Sequence, residues 1–248
     1  MKLYRISVLA ALSLAALSCS TKVASVEGDA EGFVNFAVEN GGEIAEVTKS
    51  NVSDYTALPG ASDFKIVVKN SDGAPVYDGF VSGWTSSTAL MVGNYSVDAT
   101  FGEEGVEGFD KPYFSGSANF AVVGGQTTSV SVPVKLGNSL VRISCSENFR
   151  NYFPTRSFKI TTGTGTVIDF PSTETRAAFV DAYKFTVSGS FTSQGGTEKS
   201  WSKDYNNLEA ATCYTISFDA SNVGGLKVTV TFDDTVETVD CGDVELND

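Results

Sequence analysis

The chain has 248 residues, 42% of them hydrophobic and 19% charged, so it is too apolar for intrinsic disorder and long enough for one large or two ordinary domains. Thirty acidic residues against 17 basic ones give a net charge of -13, which excludes nucleic acid, because phosphate binding needs a basic footprint. Histidine is absent, which removes Ser-His-Asp and Cys-His catalysis, the usual zinc sites with His ligands and the commonest general base near neutral pH.

Residues 1–18 read as an export signal: Lys2 and Arg5 precede an apolar run from Ile6 to Leu17 that is too short to span a bilayer. The run ends in LAALSCS, where small residues lead directly to Cys19. This resembles the bacterial lipobox, with Ala16 where an aliphatic residue is commoner, and implies that Cys19 becomes the lipidated, palmitate-carrying first residue; an ordinary secretory signal is the alternative. Residues 19–31 then form a tether rich in Ser, Thr, Ala and acid, reaching at most about 40 Å when extended. Without Lys2 and Arg5 the balance becomes 15 basic against 30 acidic residues. No later run approaches the roughly 20 apolar residues of a spanning helix, so the expected attachment is by lipid alone. The expected location is the outer membrane, on either the cell surface or the periplasmic face.

From there apolar and polar residues alternate in short runs, as in FVNFAVE (33–39), FKIVVK (64–69), YSVDATF (95–101) and LKVTVTF (226–232). A period of two predicts half-buried strands. Asn70, Ser71, Asp72 and Gly73 form a hairpin signal, and Gly124-Gly125 and Gly224-Gly225 each join two runs. Helical spacing is suggested only over Thr173–Ala182. Many short strands with Gly-rich turns predict an all-β chain of two tandem β-sandwich domains, residues 32–137 and 138–248. A short internal echo supports the division: FAVVGGQTTSVSV (120–132) and FDASNVGGLKVTVTF (218–232) both set Gly-Gly before a Val-rich strand. With KLGNS (135–139) as the join, the two sandwiches are expected to stack closely.

The stretch FDKPYFSGS (109–117) gathers rings, charges and a proline. Pro112 cannot donate to a ladder and holds Lys111 extended, so it belongs at a strand entrance. Tyr113 and Phe114 then point to opposite faces. A corner that shapes the fold is favoured over a binding site.

Little catalytic chemistry remains. Adjacent acids such as Glu103 with Glu104 and Asp233 with Asp234 are unavoidable in so acidic a chain, whereas a glycosidase needs two carboxyls across a cleft. The acids near the end (Asp233, Asp234, Asp240, Asp243, Glu245) lack EF-hand spacing, so an acidic surface is favoured over calcium. GTGTV (163–167) and VVGGQTTS (122–129) lack a P-loop lysine and read as turns. No metal, cofactor or catalytic residue is predicted.

Beyond Cys19, Cys145 shares a face with Val141 and Ile143, while Cys213 is set opposite Tyr214, Ile216 and Phe218. Three cysteines cannot all pair within one chain; buried thiols are favoured, and Cys145 with Cys241 is the parity-favoured bridge if one exists. Trp84 in SGWTSS, Tyr152 and Phe153 in RNYFPT, and Trp201 with Tyr205 in KSWSKDY offer rings that could stack on sugars or anchor a protein partner. Packing in a core or at a strand end is the competing role. Asp234-Thr235-Val236 is similar to the short O-glycosylation acceptor of Bacteroides-type exported proteins, with Thr235 as the acceptor.

The runs DFKIVVKNSDGAPVYDGF, LMVGNYSVDATFG and FDKPYFSGSANFAVVGGQTTSVSVPVKLGNSLVRIS, with the later ATCYTISFDASNVGGLKVTVTFDDTVE, resemble uncharacterised lipoproteins of Bacteroides and relatives that carry a domain of unknown function. The resemblance implies tandem transthyretin-like or immunoglobulin-like sandwiches, reminiscent of fimbrillin-type pilus proteins, and assigns no ligand or catalytic residue. The expected function is non-enzymatic: protein association, adhesion or fimbria-like assembly, in which an exposed strand edge accepts a partner strand. A glycan-binding lipoprotein using loop aromatics is the alternative, and the partner is an unidentified protein or surface glycan.

Overall fold

The computed structural model describes residues 30–40, 52–220, 226–232 and 235–240, with backbone alone at 40, 226–232 and 235–240. The segment read as an export signal, Cys19 and Cys241 lie outside the described residues. The fold is all-β. In the first half, β1 (Glu31–Asn40), β2 (Lys65–Asn70), β3 (Pro75–Phe80), β4 (Ala89–Met91), β5 (Gly93–Phe101), β6 (Gly108–Phe109), β7 (Phe114–Val122) and β8 (Thr127–Leu136) follow in order. Glu31, read from sequence as the end of the tether, is the first residue of β1.

The β2–β3 hairpin forms where the turn signal stands: Gly73 takes φ 77°, and the Asn70 Oδ1 accepts from the backbone N–H of Asp72 and Ala74. The strand order is β3-β2-β5-β7-β8-β1-β4. It folds over on itself at β8, which pairs with β7 only at Phe114↔Leu136 and Ser115↔Lys135 and pairs in parallel with β1 over Phe33–Asn40. The Gly124-Gly125 turn therefore joins strands of two different layers, a departure from the simple hairpin read in the echo. Ile66, Val68, Val97 and Phe114 from one layer meet Val34, Val130, Val132 and Val134 from the other in one core. Gly116 lets β7 approach β8 closely, since a Cβ there would stand 2.0 Å from the Pro133 carbonyl oxygen.

The second half contains β9 (Asn138–Cys145), α1 (Glu147–Tyr152), β10 (Thr155–Thr162), β11 (Val167–Pro171), β12 (Ala178–Asp181), β13 (Lys184–Thr192), β14 (Glu198–Asn206), β15 (Cys213–Ala220), β16 (Leu226–Phe232) and β17 (Thr235–Asp240). One sheet runs β11-β10-β13-β14 and the other β17-β16-β15-β9-β12-β6. Phe158, Ile160, Phe170 and Val187 of the first pack on Val141, Val180, Ile216 and Phe218 of the second. Thr173–Ala182 is a turn followed by β12 rather than helix. Ala177 to Val180 are all buried, and a strand covered on both faces gives the unbroken apolar run that periodicity cannot separate from a helix.

The two sandwiches meet without a linker, because only Gly137 separates β8 from β9. Leu140, Phe179 and Cys213 form one row across β12, β9 and β15 and face the first core, while Val141, Ala178 and Tyr214, one residue along, face the second. Cys213, placed opposite the core residues in the sequence reading, is buried because the other sandwich covers that face.

The FDKPYFSGS corner completes the joint. Phe114 is fully buried at the head of β7, and the Tyr113 N–H donates to the Asn138 Oδ1 at 2.6 Å. Just before it, β6 leaves the first sandwich and pairs with β12 of the second through Phe109↔Ala178 and Gly108↔Phe179. The Glu107 carboxylate accepts from the Asp181 N–H at 2.9 Å and from the Thr162 hydroxyl at 2.6 Å. This loop is a clasp between the sandwiches as well as a corner.

Candidate functional site

The rings singled out from sequence lie mostly inside the fold. Phe153 is fully buried at the end of α1, 4.9 Å from Phe149, with Tyr152 half-buried edge-on to it. Trp201 and Tyr205 lie on β14 rather than on a loop, and alternation turns both inward: Tyr205 is 5% exposed beside Phe185, and Trp201 meets Phe218 edge-on at 5.2 Å. Trp84 is half-buried between Phe36 and Tyr77, and its Nε1 donates to the Val34 carbonyl at 2.8 Å, covering part of the β1 edge. Packing thus occupies Phe153 and Tyr205 completely and the other three in part. Thr235 is the first residue of β17, with its backbone facing Phe232.

The structure brings together a different set of residues, along β9. In a strand, successive residues turn their backbone groups to alternate sides. Leu140 and Ser146 donate toward β15, to the carbonyls of Thr212 at 2.8 Å and Phe218 at 2.9 Å. The intervening odd-numbered residues therefore direct theirs to the opposite side, where β12 lies. Pairing with β12 ends at Val141↔Ala178, while pairing with β15 continues to Cys145. Among the described residues no strand faces Arg142–Cys145 on the β12 side. The Ile143 N–H and C=O and the Cys145 N–H point into the gap, and the Cys145 carbonyl accepts from the Arg150 Nη1 at 3.0 Å.

The gap opens because the chain, crossing from β11 of one sheet to β12 of the other, passes through Pro171 to Thr175 and joins β9 only at Ala178↔Val141. It is a slot of about 380 Å³. Its floor is apolar: Ile143 of β9 with Phe158 and Phe170 of the opposite sheet. Its rim carries Arg142, Arg150 and Arg156. Arg142 donates to the Thr215 hydroxyl at 3.2 Å and Arg156 to the Phe153 carbonyl at 3.1 Å, uses that leave most of the five N–H donors of each guanidinium open. None of the three forms an ion pair among the described residues. The acid on the rim, Glu174, is already held by Arg176 at 2.9 Å, which draws its carboxyl down to about 2. Burial pushes the Cys145 thiol up, against the opposing charges of Arg156 and Arg150.

The chain has five arginines. Arg5 lies outside the described residues; of the other four, three line this slot and the fourth neutralises its acid. The clustering of Arg142, Arg150, Arg156 and Arg176 in an acidic chain is the signal the sequence offers for this slot, and it does not stand out in LVRISC and RNYFPT, where cysteine and rings are the more conspicuous residues.

The sequence profile of the family described as Domain of unknown function (DUF4493) matches residues 30–247. No functionally curated protein matches the chain. Among solved structures, the chain is similar to a DUF1812 protein of Bacteroides thetaiotaomicron, with 10% identity, 86% of this chain and 99% of that one covered, and a TM-score of 0.49. It is similar to a fimbrial assembly protein of Parabacteroides distasonis, with 10% identity over 72% of this chain and 91% of that one and a TM-score of 0.46. It is also similar to the fimbrial anchor protein Mfa2 of Porphyromonas gingivalis, with 11% identity over 82% of this chain and 97% of that one and a TM-score of 0.40.

Proposed function

We propose, from the premise that this chain belongs to the DUF4493 family, that it is a non-enzymatic, lipid-anchored protein of the outer membrane that associates with another protein in adhesion or fimbria-like assembly. Association proceeds by addition of a partner strand along Arg142–Cys145. The observation that carries this reading is the half-paired β9. A strand inside a sheet normally has neighbours on both sides, and exposed edges are normally blunted or covered. Here the uncovered part lies over a slot with an apolar floor and a charged rim, so an incoming segment gains backbone hydrogen bonds and a pocket for alternate side chains together.

A photo-crosslinking amino acid placed at the exposed Ser144 and activated on intact cells tests the reading. The expected product is a discrete covalent adduct with a second protein, not formed from the same probe at the exposed Ser202 on the far sheet. Absence of an adduct from Ser144, or equal adducts from both positions, contradicts it.

A further inference from the structure

We infer that the segment received by the β9 slot is acidic: an extended stretch of a separate partner protein in which carboxylate side chains alternate with apolar ones. This inference rests on the strand-addition reading above and adds the chemistry of the partner.

The backbone geometry requires an extended occupant, because the groups left open, the Ile143 N–H and C=O and the Cys145 N–H, are spaced as in a β ladder. Alternation then divides its side chains. Those turned inward meet Ile143, Phe158 and Phe170 and must be apolar, since an unpaired polar group there is costly. Those turned toward the rim meet guanidinium groups. Arg142, Arg150 and Arg156 lack a carboxylate partner among the described residues, although the chain as a whole carries 30 acidic residues against 17 basic ones. A guanidinium fork matches a carboxylate in geometry as well as in charge. A basic segment is rejected by the same three charges, and a neutral one leaves them unanswered. The one acid on the rim cannot serve in place of the partner, because Glu174 is bound by Arg176.

The test uses the full mature chain in detergent and three short synthetic peptides that alternate valine with glutamate, with serine or with lysine. Binding is followed by fluorescence anisotropy and by hydrogen exchange of individual amides. The glutamate peptide is expected to bind at least about tenfold more tightly than the serine peptide at low salt, with the gap closing as salt rises. Binding should slow exchange at Ile143 and Cys145, while Arg142 and Ser144, which already donate toward β15, change little. The doubly substituted Arg150→Gln, Arg156→Gln protein, which keeps Arg142, should lose most of the preference for the glutamate peptide over the serine peptide. The salt dependence of the unsubstituted protein gives the same discrimination without any variant.

Equal binding of the serine and glutamate peptides, with Ile143 protected, overturns the acidic partner and leaves strand addition standing. Failure of all three to protect Ile143 overturns both. Self-association of the full chain that the glutamate peptide displaces assigns the slot to a second copy and overturns a separate partner.

Discussion

The guanidinium carbon of Arg176 lies 4.7 Å from the centroid of the Phe109 ring, joining a residue that leads into β12 to a residue of β6. The same guanidinium donates to Asp110 at 2.7 Å, and Phe109 meets Phe170 edge-on at 4.9 Å. The clasp between the sandwiches is thus apolar at its centre and charged at its rim. Phe109→Ala should cost about 2 kcal/mol, less than a fully buried ring would, and Arg176→Ala should cost less than Phe109→Ala because the exposed pair is screened. Urea unfolding measures both. A larger loss from the arginine would show that charge, not packing, holds the joint.

Two carboxylates near that joint respond to acid in opposite senses. Glu174 sits at about 2 against an ordinary value of 4.5, chiefly through its hydrogen bond from Arg176. Its contribution is complete above about pH 4.5 and is lost as the pH falls toward 2. Asp181 is raised above its ordinary 3.8, first by burial and then by the charges of Glu107 and Glu104. Ionised, it opposes folding, and protonation relieves the cost. Glu174→Gln should therefore flatten the acid limb of stability below pH 4.5, and Asp181→Asn should raise stability at pH 7. Unfolding curves across pH check both signs, and destabilisation by Asp181→Asn at pH 7 contradicts the second.

Gly116 allows no side chain. A Cβ 2.0 Å from the Pro133 carbonyl oxygen would force β7 and β8 apart where the two layers converge. Gly116→Ala should cost about 3 kcal/mol, the upper end for overpacking. Gly73→Ala, in the open β2–β3 turn, should cost only the strain of its positive φ. Thermal melts of the two proteins give the ranking.

The anchor is tested apart from the fold. Cys19→Ala should abolish incorporation of labelled palmitate and move the chain out of the membrane fraction. Proteolysis of intact cells, with a periplasmic protein as control, then separates the two faces of the membrane: cleavage of this chain alone gives the cell surface, and protection until the envelope is opened gives the periplasm.

What sequence made legible is local. The Asn70–Gly73 turn and the alternating runs of β1, β2, β5 and β16 carry their geometry in adjacent residues. The joint is not local. Gly108 and Phe109 look like loop, and only the distant β12 makes them a strand. Cys213 and Leu140 sit on what reads as the outer side of their strands, and the other sandwich covers them. For Phe153 and Tyr205 the sequence leaves recognition and packing equally open, because a ring beside a turn carries the same local pattern in both roles. The slot has no local signature for a related reason: β12 joins β9 only at Val141, and nothing in LVRISC itself marks where that neighbour begins.

The parallel pairing of β1 with β8 has a mechanical consequence. On the proposed anchoring and strand addition, load arriving ahead of residue 30 enters β1 at its N-terminal end, and load arriving at β9 reaches β8 from its C-terminal end through Gly137. The pairs from Phe33↔Thr127 to Asn40↔Val134 are then pulled lengthwise in opposite directions. Every bond of that ladder shares the force at once, as in a lap joint, and none is peeled open singly. A pull applied between residue 30 and β9 therefore meets this ladder in shear.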